Sequence, residues 1–148
     1  MTAGRALRLT ALAAAAAGAF FLLAAADLGL RSRGALQRAE REDFWRANPA
    51  EKRRHFEALY AAETAAAGQA SAEAAARAAA LRTAEADFKI SESSAKLAYL
   101  WYKTAAEEFP SPLNPWAARA RKKMPGALEA WRAELKAKGI KAEDWMLE

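Results

Sequence analysis

The chain has 148 residues, a formal net charge of +5, no cysteine and a single histidine, His55. That length leaves room for one modest domain beside any membrane segment. The missing cysteines exclude disulfides, thiolate metal sites, a cysteine nucleophile and a cysteine-linked lipid anchor, and one histidine excludes a histidine-based metal cluster. Valine is absent, Ile90 and Ile140 are the only isoleucines, and glycine and proline are few beside abundant alanine. A sheet built without valine would be odd, and alanine favours helix, so the fold class is all-α. The mild basicity suits anionic headgroups or nucleic acid and proves neither.

Residues 9–26 carry no charge, and that is about the length a helix needs to cross a ~30 Å hydrocarbon core. Arg5 and Arg8 precede the run, and Arg31 and Arg33 follow it. The same stretch has signal-peptide grammar, with Ala24, Ala25 and Ala26 offering a cleavage site before Asp27. Its length, and the apolar Leu28 and Leu30 beyond it, favour a retained transmembrane helix over a cleaved signal or a buried soluble helix. Counting Arg31, Arg33, Arg38 and Arg41 against Arg5 and Arg8 would keep the C-terminal part in the cytoplasm. Long domains translocate largely regardless of such charges, and the signal-like start argues for an exported C-terminal part.

Residues 35–47 read as a charged helix leaving the bilayer, with Arg38–Glu42 and Glu42–Arg46 as i,i+4 pairs. Asn48, Pro49 and Glu51 make a helix start: cap, first-turn proline and capping-box acid. Phe56, Leu59 and Tyr60 form an apolar stripe in that helix. His55 lies beside the stripe, among Lys52, Arg53 and Arg54, and reads as solvated. Residues 61–86 are alanine-dominated, and Tyr60, Ala67, Ala74, Leu81 and Phe88 recur every seven residues as a thin coiled-coil-like seam. Either one long stalk helix runs through residues 49–88, or the chain turns at residues 68–71 into an antiparallel pair. Ser71 as a cap, with Glu73 in the first turn, favours the pair.

Ser91 or Ser93 can cap a helix over residues 92–109. It is aromatic over much of its surface, which places Trp101 in the core and the hydroxyls of Tyr99 and Tyr102 at its edge. Pro110, Pro112 and Pro115 stop that helix, and Asn114-Pro115 repeats the cap-and-proline device. The next helix carries Ala117, Ala120 and Met124 on one face and a basic run over residues 119–123 on another. Pro125 either kinks it or begins a new helix. Leu128, Trp131 and Leu135 continue an apolar stripe, and Gly139-Ile140 reads as a Schellman stop. Trp145, Met146 and Leu147 form a terminal cluster that folds back or docks elsewhere.

Residues 98–121, through Tyr102, Ala106, Phe109-Pro110, Ser111-Pro112, Trp116-Ala117 and Ala120, resemble the helical hairpin of tetratricopeptide-type repeats of envelope assembly proteins. No second copy occurs at the ~34-residue period of such repeats, and Pro115 is an addition to the turn. The resemblance implies a protein-binding scaffold and transfers no catalytic residue.

Glu107-Glu108 and Glu40, Glu42 and Asp43 read as carboxylates on solvated helix faces, lacking the converging partner that acid–base chemistry needs. No phosphate loop, nucleophile elbow or zinc motif occurs. Catalytic, metal and cofactor residues are therefore expected to be none. Trp116 and Trp145 are candidate partner-binding residues. Arg119, Arg121, Lys122 and Lys123 are candidate anionic contacts. The sequence reads as a membrane anchor over residues 1–30, a charged and alanine-rich helical region over 31–90, and an aromatic helical hairpin domain over 91–148. The expected function is a non-enzymatic accessory or assembly subunit of an envelope membrane complex, with the lipid bilayer and a membrane or envelope protein as partners. Self-association stays open. The alternatives are a basic domain contacting anionic lipid or, less favoured, nucleic acid, and a secreted helical protein released by cleavage after Ala26.

Overall fold

Alanine-rich helices with local caps account for almost every described residue. The computed structural model describes residues 3–66, 71–109 and 114–143. They form five helices: α1 (Ala3–Ala47), α2 (Pro49–Ala66), α3 (Ala72–Ser91), α4 (Ser94–Glu107) and α5 (Pro115–Ala137). No strand occurs among the described residues. The all-α expectation holds.

The 45 residues of α1 make one unbroken helix about 68 Å long at 1.5 Å per residue. Its first half includes an apolar stretch of 18 residues, none of which is buried. Covering begins near Leu28 and Gly29, which are half-buried. Ser32, Ala35, Leu36, Ala39, Glu42 and Trp45 are then buried along one face, at the three-to-four spacing of a helix stripe.

That stripe packs on α4 and α5. Small residues set the distance: Ala35 and Ala39 join Ala98, Ala105, Ala106, Ala120 and Ala127 in one core cluster. The bulk between them comes from Leu36, Tyr99 and Tyr102, with Trp101, Phe109, Trp116, Met124, Leu128 and Trp131 packed around the edge. Ser32 Oγ donates to the Ala105 carbonyl at 2.9 Å, and Tyr102 Oη donates to Asp43 Oδ2 at 2.8 Å. α4 therefore runs antiparallel to α1. α5 runs back alongside α1, with Trp116 near Arg33 and Arg119 and Lys123 at Glu40. The core draws on residues 32–39 as well as on residues beyond 91. The expected places of the aromatics are exchanged. Tyr102 is fully buried and Tyr99 nearly so, while Trp101 is half-buried under the Arg38 guanidinium, 4.6 Å from its ring. A phenol hydroxyl tolerates burial once Asp43 accepts its hydrogen bond.

α2 and α3 form an antiparallel pair: Glu57, Tyr60 and Thr64 line one shallow cavity with Asp87, Thr83 and Ala79. The turn expected at Gly68 falls partly on residues 67–70, outside the described ones. Of the heptad seam, Tyr60 takes part in this contact and borders Phe88, while the large seam residues of α3 stay mostly uncovered. Leu81 and Phe88 are 61% and 59% exposed. The inner face uses Ala79, Arg82, Thr83 and Ala86 instead, because small side chains let the two backbones approach and large ones do not. Leu59 is likewise exposed, whereas Phe56 and Tyr60 are half-buried.

Most local signals act as expected. Ser71 Oγ accepts from Ala74 N at 3.2 Å, Ser93 Oγ from Lys96 N at 3.1 Å, and Asn114 Oδ1 from Trp116 N and Ala117 N at 3.1 and 3.2 Å. Gly139 has φ +69°, and the Ile140 N–H reaches the Leu135 carbonyl at 2.9 Å, a Schellman stop. Asn48 differs: its side-chain amide donates back to the Phe44 carbonyl at 2.9 Å and ties down the end of α1. Pro125 lies inside α5 without ending it. It is exposed, so the carbonyl one turn earlier, left without its amide partner, can bond water.

Candidate functional site

Two places on the bundle concentrate polar and aromatic side chains, one at each end of the packed half of α1. The first holds the residues expected from the sequence. Asn114 and Pro115 start α5 so that Trp116 sits beside α1, where the Arg33 guanidinium lies 5.4 Å from its ring centre. Trp116 is half-buried, packed against the core on one side. Trp145 lies outside the described residues. The basic run divides by helix geometry. Arg119 and Lys123, one turn apart, both reach Glu40 Oε1 at 2.8 Å. Arg121 and Lys122 are exposed. Two of the four cations thus help hold α5 to α1.

The second place was not legible as a site. Near the Asn48 end of α1, Glu42 of α1, Lys52 of α2, Glu92 of the α3–α4 link, Ser94 of α4 and Glu134 of α5 converge. Glu42 is only 8% exposed and Lys52 4%. The expectation of a solvated face over Glu40, Glu42 and Asp43 is therefore corrected. Residue 42 falls on the buried stripe, and Asp43 accepts the Tyr102 hydroxyl. Lys52 Nζ donates to the Glu92 carbonyl at 2.6 Å, and Ser93 Oγ donates to Glu134. Glu42 Oε2 is buried with no hydrogen-bond partner. Glu107 and Glu108 are exposed as expected.

Burial pushes the Glu42 carboxyl above the usual range, and hydrogen bonding to Ser94 and the charges of Lys52 and Arg41 pull it partly back. Burial lowers Lys52, against the attraction of Glu42, Glu92 and Glu134. Burial also raises Glu134, but hydrogen bonds from Lys138 and Ser93 outweigh it and hold that carboxyl below the usual range. Burial and the bond to Asp43 keep the Tyr102 phenol protonated well into alkali. The arrangement is a charged joint. It fastens α2 to the α3–α4 link and satisfies the Lys52 ammonium with a main-chain oxygen.

Trp45 closes the same corner. It is buried, 5.0 Å from the His55 ring and 5.3 Å from Phe56. His55 itself is exposed. Among the described residues, no group of three or more His, Cys, Asp or Glu could hold a metal ion. The chain matches no family model, and neither curated proteins nor solved structures give a match.

Proposed function

We propose that this is a single-pass inner-membrane protein, non-enzymatic, whose helical domain lies outside the cytoplasm and binds a protein partner as an accessory or assembly subunit of an envelope complex. One observation carries the anchor: the apolar half of α1 is wholly exposed and continues as the same helix into the packed bundle. Those side chains gain nothing from folding in water, because they stay as exposed as in the unfolded chain; transfer of that apolar surface into hydrocarbon is what lowers their free energy.

Partner binding draws on the resemblance of the α4–α5 pair to a tetratricopeptide-type hairpin. It also draws on Leu81 and Phe88, large apolar side chains standing in solvent on α3.

Photo-crosslinking the full chain in its own membranes tests the partner. Probes at Leu81, Phe88 and Trp116 are expected to give a discrete adduct with a second protein from at least one position. Lipid adducts alone, or none, would refute partner binding. A reporter fused at Glu148 reads the side of the membrane.

A further inference from the structure

α1 serves as a ruler. It is continuous from the uncharged run to the bundle, so axial distance from Ala26 follows from 1.5 Å per residue. Ser32, the first fully buried residue, lies about 9 Å beyond Ala26, and Arg33 about 10 Å. The headgroup layer of one leaflet is roughly 5–7 Å deep, so the packed bundle begins within about 5 Å of its outer edge, with no linker between them.

The antiparallel course of α4 brings its end, with Phe109, toward the Ala26 end of α1. The start of α5 brings Trp116 beneath Arg33 at the same level. Phe109 and Trp116 each pack one side against the core and leave the rest uncovered. Aromatic rings of that kind, Trp above all, favour the headgroup boundary, where one edge is apolar and the other wet.

We propose that the corner made by Phe109, Trp116 and Arg33 is a lipid-contact surface, seated against the outer edge of the headgroup layer of the leaflet from which α1 emerges. This rests on the reading of α1 as a membrane span. Charge does not drive the contact. Arg31 is paired with Asp27 at 2.8 Å, Arg33 lies over the Trp116 ring, and the exposed carboxylates of Glu107 and Glu108 stand at the same end of the bundle. The basic run cannot supply it either, because Glu40, which holds Arg119 and Lys123, stands about 21 Å beyond Ala26. The corner fixes the bundle on the membrane with α2 and α3 at the far end, where Asn48 is about 33 Å above Ala26.

The test uses the full chain in phosphatidylcholine vesicles carrying lipids brominated near the headgroup. The native chain is expected to show a quenched tryptophan component, and W116F to lose at least half of it. F20W, read with lipids brominated near the chain ends, reports insertion of α1 independently. Deep quenching of F20W with shallow quenching unchanged in W116F would overturn the lipid contact and leave the span standing. Absent quenching of F20W would overturn both. Because the chain lacks cysteine, a nitroxide on A118C gives a second depth reading that leaves Trp116 in place. Accessibility intermediate between headgroup and bulk water there supports the contact, and full aqueous accessibility overturns it. Equal quenching in neutral and anionic vesicles is expected. Quenching that needs anionic lipid and disappears in high salt would assign the contact to the cations and overturn the proposal.

Discussion

The three-helix bundle and the α2–α3 arm share an alanine-rich composition but not a mode of packing. In the bundle, alanines of α1, α4 and α5 approach closely and Leu36, Tyr99 and Tyr102 fill the space between them. α4 buries seven of its 14 residues. The arm buries Lys52 alone on α2 and Ala86 alone on α3, and Leu81 and Phe88 point outward. Alanine therefore brings helices together, but only large partners at the same level turn that approach into buried area. Global stability should reside in the bundle, and the arm should open first.

The largest expected effect follows from breaking the bundle. Tyr102→Ala removes a fully buried ring and the hydrogen bond it donates to Asp43 Oδ2, for a loss of about 3–5 kcal/mol. Denaturant titration in mild detergent, followed by circular dichroism, measures it. At the joint between the two regions, Lys52→Met strands the Glu42 carboxylate in a buried site, for a loss of about 3 kcal/mol. The double variant with Glu42→Gln is expected to recover most of that loss, which a double-mutant cycle reads as coupling.

Acid titration separates two carboxylates by sign. Glu42 has a raised folded pKa, so its contribution is full below its unfolded value of 4.5 and is lost as pH rises through the folded one. Glu134 has a lowered folded pKa, so its contribution is full above 4.5 and is lost as pH falls through the folded one. Relative to the native chain, Glu42→Gln should therefore gain less stability on going from pH 7 to 4.5, and Glu134→Gln should lose less below 4.5. Unfolding midpoints at pH 7, 4.5 and 3 check both. The smallest effect sharpens the contrast: Leu81→Ala on the arm should change stability by less than about 0.5 kcal/mol. Hydrogen exchange should show α3 amides opening well before those of α4.

The caps at Ser71, Ser93 and Asn114, the Gly139 stop and the apolar run over residues 9–26 were all legible, because each depends on neighbours in sequence. What was not legible depends on neighbours in space. The seven-residue spacing of Ala74, Leu81 and Phe88 is real, but it cannot tell which face of α3 meets α2. Trp101 and Tyr102 are adjacent and both apolar in the main, and only the Asp43 acceptor on α1 decides which of them turns inward. Glu42 reads as one charge among several until Ser32, Ala35 and Ala39 define the buried stripe that it continues. Trp116 could be named from its cap and proline, but its level against Arg33 needed the course of the whole bundle.

The central claim is that hydrocarbon surrounds the first half of α1 in the mature protein. Alkaline extraction of the membranes followed by intact-mass measurement addresses it directly. The account predicts a chain that retains residues 1–26 and stays in the membrane pellet. A full-length chain released into the aqueous fraction, or a product lacking residues 1–26, would contradict it.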